Sequence, residues 1–526
     1  MHSVPVSPDR AKPFSPKSHS AARAQQDQPS TDERLGTRGT VFPPPPPGAS
    51  PVPDMTRDFV RQTLAEDRAV ERKAERFANR RLLWKLSGEK SVQACGRGVV
   101  DSALGVAIKR RANTAYVSGV TRCGAIWLDP VCSAKIRAER ATEIADGIIR
   151  HIKAGGTAYM VTLTVQHHKR HELAALLDAL KAAFKALLSG AQWAGDPKRG
   201  REGEKRRMGV LGIIRSIEVT VGMKRHGWHP HIHVVVLMGA RQNPRPSIPR
   251  KKDRPADWVK PDWDPTPTSY FRVPDPSEDR DGMTEAELKT VADFERMQER
   301  WTRVWERWTA KAGFRASAKH GVKWDRVESV RDAEGLGDYL AKTQDGKNVG
   351  AEVARGDMKN SRVKGNLTPF ELLTRYRQLR NMTASEMEGL AKAGLPVDKE
   401  LGLIAKTWAE YEKATRGRRA MEWSPGLRAA LGLGSDEDEP TDEEIVEQDE
   451  HGDAAAHLSA PAWGKICRLG MDYKVLRAVE TGGIAELAVL LAAVGLEAET
   501  ASEWIDQERT KLPNRGRPHE VEVVQA

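Results

Sequence analysis

Cysteine is scarce in this chain. Four occur in 526 residues: Cys95, Cys123, Cys132 and Cys467. A disulfide-stapled secreted scaffold would be shorter and denser in cysteine, so a reducing compartment is expected. The N-terminus has no apolar core of a secretory signal. The longest apolar run, Leu487 to Leu496, is half the roughly 20 residues that a membrane helix needs. A cytoplasmic protein with no membrane partner is therefore expected. A G-x-x-x-x-G-K-[ST] phosphate loop is also missing, which excludes the commonest ATP-driven chemistry.

What the chain has in excess is positive charge. The formal net charge is +11, with 84 Lys and Arg against 73 Asp and Glu. A basic balance of this size favours a polyanionic partner, nucleic acid first. The excess is understated, because Ser435–Asp453 holds 11 acidic residues and no Lys or Arg. Removing that stretch doubles the net charge of the remainder. It reads as a solvated acidic linker.

Composition divides the rest. Residues 1–54 are rich in Pro, Ser, Gln and Arg and include the run Pro43–Pro47, the pattern of a disordered tail. Residues 55–135 read as a helical region that carries three of the four cysteines. Residues 136–375 alternate element types. Strands are expected at Ala158–Val165, Ile213–Val221, Trp228–Met238 and Val322–Val330. Helices are expected at Glu172–Leu188, from Thr284 with Glu287 completing a capping box, and near Leu336–Thr343. The order β-α-β-β-α-β-α predicts an α+β fold, a central antiparallel sheet with helices packed on one face. A helical extension (376–434), the linker (435–453) and a helical C-terminal region (454–526) follow.

The second strand of the expected hairpin carries the chemistry. His229, His231 and His233 alternate with Pro230 and Ile232, and a side-chain period of two puts all three on one face. Two imidazoles at i and i+2 can share a metal ion. On the preceding strand, Ile217, Val219 and Val221 would face the core and Glu218 the other side. A turn centred between Lys224 and Arg225 sets Glu218 opposite His231, within about 5 Å at Cβ. Glu218, His231 and His233 are thus a candidate set for a divalent cation, with His229 as the alternative third ligand.

Trp228-His-Pro-His-Ile-His-Val234 resembles the HUH motif, His-hydrophobic-His, of plasmid rolling-circle replication initiators. Ala158–Val165 resembles the strand motif that precedes it there, and Asp338-Tyr-Leu-Ala-Lys342 resembles the family's tyrosine motif. Order and spacing agree over roughly residues 95–435, and Met421–Arg428 resembles the helical extension of actinobacterial-type members. The resemblance implies an HUH endonuclease fold with 136–375 as the nicking-joining domain. It also implies Tyr339 as nucleophile, Lys342 as its helper, and Mg²⁺ or Mn²⁺ on His231 and His233. A phosphotyrosine would store the energy of the cut phosphodiester and leave a 3'-hydroxyl primer. The implied partners are single-stranded or supercoiled origin DNA, a host helicase and a host DNA polymerase. A homodimer would bring a second Tyr339 for the closing cut. One departure stands out: where some relatives have a water-activating Glu four residues before the tyrosine, this chain has Gly335.

Three further readings stay open. Arg122–Cys132 resembles a cysteine-rich segment of the family with Asp129 in place of a Cys, so Cys95, Cys123, Asp129 and Cys132 form either a structural zinc site or a set of buried thiols. Arg241, Arg245, Arg250, Lys251, Lys252 and Arg254 form either a phosphate clamp near the nick or a solvated loop. A single-tyrosine transposase, a mobilisation nickase or a repressor on an inactive scaffold would share much of the pattern.

Overall fold

The structure is a computed structural model. It describes residues 55–500 apart from 112–113, 224–225, 244–253, 256, 260, 318, 328, 341–365, 393–395, 448–452 and 498, with side chains from Asp67 onward but not at 330, 337–340 or 499–500. The chain divides into units Met1–Val60 and Arg61–Ala526, and everything below concerns the second.

Apolar alternation builds the main sheet. Its order is β8-β3-β5-β4-β9, every pairing antiparallel: β3 (Thr157–Thr164), β4 (Gly212–Gly222), β5 (Gly227–Met238), β8 (Val322–Val327) and β9 (Met421–Trp423). On one face, Val161, Leu163, Val219, Ile232, Val234 and Val236 are buried under α4 (Leu173–Leu187), α7 (Glu285–Lys311) and the helices Pro369–Arg380 and Val397–Thr415. α7 starts on the capping box Thr284–Glu287 read from sequence and packs Phe294, Met297, Trp301 and Trp305 inward at helical spacing.

The other face is covered too, which corrects the expectation of helices on one side. Ala158, Ile214, Val235 and Leu237 make half of that face apolar, and α3 (Pro130–Lys153) and α8 (Val330–Leu340) bury it with Ile144, Ile148, Ala333 and Leu336. The signal lay in β5, where Val234–Met238 is a continuous apolar run, the mark of a strand buried on both faces. The histidine half of β5 lies beyond this cover.

Four other readings change. β8 ends at Val327 and α8 begins at Val330, well before the expected Leu336, because Ser329 accepts the backbone N–H of Asp332 at 3.1 Å as a helix cap. Met421–Trp423, expected within a helical extension, is edge strand β9 against β4. The expected solvated linker is packed in its first part. Ile445 and Val446 are buried, and Glu439 and Asp442 lie 2.7 and 3.5 Å from Arg140 of α3. The C-terminal region contributes a strand as well. β10 (Asp453–Leu458) pairs with β1 (Val106–Arg111) in a second sheet, order β11-β10-β1-β2, with β2 (Thr114–Ser118) and β11 (Glu499–Thr500). Val106, Ile108, Val117, Leu458, Trp463, Val475 and Leu491 make a second core there. Residues 1–54 lie outside the described residues. No helix among the described residues is long and apolar enough to cross a membrane.

Candidate metal centre and nucleic-acid interface

The hairpin register decides the site. Glu218 pairs with His231 across β4 and β5, and Thr164 of β3 pairs with His231 from the other side. Glu218 Oε2 lies 3.0 Å from His231 Nε2 and 3.2 Å from His233 Nε2. One ligand atom from each of the three residues falls within 4.8 Å of the others. Cis ligands of an octahedral ion with bonds of about 2.1 Å stand about 3.0 Å apart. The spacing of Glu218 to the two imidazoles therefore fits a small divalent cation. Burial opposes ionisation of Glu218, yet the neighbouring His231 and His233 hold its carboxyl well below the usual range.

His229 is not part of that group. Its ring stands 5.1 Å from His231 and stacks on His167 at 4.5 Å and 24°. Burial first, and then the neighbouring His231, pushes His229 down to about 3. Two polar neighbours escaped sequence reasoning. Thr162 Oγ1 sits 3.3 Å from His233 Nδ1, and His167 comes from the loop after β3. Neither has a spacing signal. The alternation of β3 and the pairing Thr162↔His233 were the only routes to the first.

Tyr339 is the penultimate residue of α8, the helix that covers the histidine-bearing face of the sheet. Its side chain and Lys342 lie outside the described residues. Gly335 lies in α8 one turn earlier, and a Cβ built there would meet nothing within 4 Å. Glu334 is in the same helix and exposed.

Of the insertion's cations, the described Arg241 and Arg254 stack on aromatic rings of the insertion itself. β5 runs from His233 to Met238 before the insertion begins, about 17 Å of extended chain. Arg241 follows on β6 (Ala240–Gln242), where its guanidinium stacks over Phe271 at 4.5 Å, and Arg254 stacks over Trp258 at 4.2 Å. Arg245, Arg250, Lys251 and Lys252 lie outside the described residues.

A second group forms below α3. Cys95, Cys123, Asp129 and Cys132 also offer ligand atoms within 4.8 Å of one another. Cys132 Sγ is 3.6 Å from Cys95 Sγ and 3.8 Å from Cys123 Sγ. These thiols are free, not disulfide-bonded. Two sulfurs on a tetrahedral zinc with bonds of about 2.3 Å stand about 3.8 Å apart, so the spacing fits that ion. Asp129 caps α3 with Oδ1, while its buried Oδ2 finds no hydrogen-bond partner among the described residues. Burial, and then Cys95, pushes Asp129 up to about 7. Hydrogen bonds from Cys123 and Cys95 hold the Cys132 thiol well below its usual range. Buried Arg80 pairs with Asp472 at 3.0 Å beside the group.

No protein-family model matches the chain, and no solved structure matches it. It is 36% identical over 407 residues to "Protein rep" of Streptomyces lividans, covering 72% of this chain and 80% of that protein. It is also 41% identical over 159 residues to the "Neomycin resistance protein" of Streptomyces cyanogenus, covering 27% of this chain and 36% of that one. The first match spans most of both chains, and the chain belongs to the actinobacterial Rep family of plasmid replication proteins.

Proposed function

We propose that this Rep protein starts rolling-circle replication by nicking one strand of origin DNA on an HUH-type site. The observation that carries the reading is the convergence of Glu218, His231 and His233 on the sheet face that α8, with Tyr339, covers. Position 339 lies three residues, nearly one turn, beyond Leu336, which packs toward that face.

The chain's own residues divide the work. His231, His233 and ionised Glu218 hold a divalent ion, Mg²⁺ or Mn²⁺. When bound, that ion supplies Lewis acidity at the scissile phosphate. The Tyr339 oxygen attacks phosphorus, an O–P bond forms, and the bond to the 3' oxygen breaks. The phenolic proton ends on the departing 3'-hydroxyl. Lys342, three residues after Tyr339, lowers the phenol pKa or contacts the phosphate. Closing reverses the step with an incoming 3'-hydroxyl. No ATP is consumed, so strand separation and extension belong to a host helicase and polymerase. The Cys95, Cys123, Asp129 and Cys132 group holds a structural zinc ion under the same proposal.

The test is nicking of a supercoiled plasmid that carries the replicon. Tyr339→Phe abolishes nicking and leaves DNA binding within a few fold, and chelator stops the parent until Mg²⁺ or Mn²⁺ is restored. A covalent adduct mapped to another tyrosine overturns the assignment. Nicking that persists in chelator overturns the metal role.

A further inference from the structure

The loop after β3, Gln166-His-His-Lys-Arg-His171, is built against the metal group rather than left over it. The His167 Nδ1–H donates to the His226 carbonyl at 3.0 Å. The chain passes so close to the hairpin end that a Cβ on Gly227 would lie 2.7 Å from Lys169 Cα and 3.1 Å from the His168 carbonyl. Gly227 also holds φ at +73°, so both the space and the backbone call for glycine. At its far end, the His171 ring sits 3.5 Å from that of His168 and meets Phe314 edge-on at 4.9 Å. The loop is therefore fixed at both ends.

This seating extends the histidine strand sideways. His167, His229, His231 and His233 form a row with ring centroids 4.5, 5.1 and 4.7 Å apart in turn. His231 and His233 turn their Nε2 atoms to Glu218. His167 and His229 make no such contact, and they stack on each other. His167 is half-exposed at the end of the row, with the exposed His226 ring 6.4 Å from it at 86°, and Lys169 and Arg170 beside it are exposed. Flat rings next to exposed cations are what a single strand of DNA binds: bases stack on the rings, and phosphates meet the cations.

The geometry points to His167 as a stacking platform for a nucleobase next to the scissile phosphate, with Lys169 and Arg170 on the flanking phosphates. The inference rests on the proposed function, which lays single-stranded DNA across the histidine face. It adds a residue that neither the metal nor the nucleophile requires.

The test separates base from phosphate and is run in chelator, so that metal and cleavage play no part. Fluorescence anisotropy compares a labelled dT15 with an abasic strand of the same 15 phosphates. His167→Ala weakens dT15 binding roughly 5- to 150-fold, the range for losing one base stack, and leaves the abasic strand unchanged. His167→Phe keeps a flat ring and restores dT15 binding. Lys169→Ala and Arg170→Ala weaken both strands alike, and each lowers the slope of log affinity against log salt by about 0.7. Equal losses on both strands in His167→Ala, no loss on either, or no rescue by Phe overturns the inference. The nicking assay stands apart. A Tyr339→Phe protein that still nicks sinks the functional reading without touching this result, and a parent that fails to bind dT15 sinks the stacking platform alone.

Discussion

His233 differs from His231 in what its second ring nitrogen meets. An imidazole that ligates through Nε2 must carry its proton on Nδ1, and the group that accepts that proton sets the ring's orientation. For His233 that group is the Thr162 hydroxyl at 3.3 Å. For His231, Nδ1 is buried and has no hydrogen-bond partner among the described residues. Thr162→Val keeps the shape and removes the acceptor. It should weaken Mn²⁺ binding roughly 10- to 100-fold, read by isothermal titration, while the fold's melting point changes little. Unchanged affinity would mean that strand packing alone orients His233. The pairing of Glu218 with His231 was legible from sequence because a short turn centred between Lys224 and Arg225 and strict alternation leave one register. Thr162 was not, since β3 and β5 are far apart in the chain and nothing local sets their stagger.

At the scale of elements, α8 shows what the chain hid and why. The residues before Tyr339 continue the polarity pattern of β8, so strand and helix merge on periodicity alone. The Ser329 cap was the local sign of the break. The early start places Gly335 inside the helix, one turn before Tyr339, with open space around it. Gly335→Glu should therefore fold, gain up to about 1 kcal/mol of helix propensity, and put a carboxylate where water can be activated. The parent should pass its phosphotyrosine mainly to a 3'-hydroxyl. The variant should release more 5'-phosphate, followed by product analysis with a second origin oligonucleotide. Equal hydrolysis in both would show that position 335 does not face the phosphate. Helix α3 carries a different sensitivity. His151 is buried and donates Nε2–H to the Met238 carbonyl at 2.9 Å, and burial pushes it down to about 4. The unfolded chain takes that proton near pH 6.5 and the folded one only near 4, so stability is full above 6.5 and is lost as pH falls between them. The loss reaches about 3 kcal/mol at most. His151→Gln keeps a donor and cannot titrate, so its denaturation midpoint should be flatter across that window. Parallel curves for the two proteins would place the acid sensitivity elsewhere.

At the scale of the whole molecule, the cysteine group lies where both cores meet. Cys95 and Cys132 belong to the main core, while Arg80 beside them reaches Asp472 of the second. Bound zinc would therefore tie the N-terminal region to α3 and steady the second sheet. The purified protein should hold about one equivalent of zinc after dialysis. Its removal should lower the melting temperature and open residues 95–135 to protease. Less than half an equivalent, with Cys123→Ala as stable as the parent, would leave three buried thiols and no ion. The second sheet was invisible in the sequence for a plain reason. β10 reads Asp-Ala-Ala-Ala-His-Leu, poor in the branched and aromatic residues that mark strands, and its partner lies at the other end of the chain.

That pairing, Val106 with Leu458, also sets a timetable for synthesis. At about 5–20 residues per second, roughly 350 residues separate the two strands and the ribosome needs about 20–70 s to supply the second. Through that interval the β1–β2 hairpin waits with its β1 edge unpaired, the form of a strand most open to wrong partners. Four strands of the main sheet are made by Val327, and its short edge strand β9 also precedes β10. The group of Glu218, His231 and His233 can thus be complete on a nascent chain whose second sheet has yet to close.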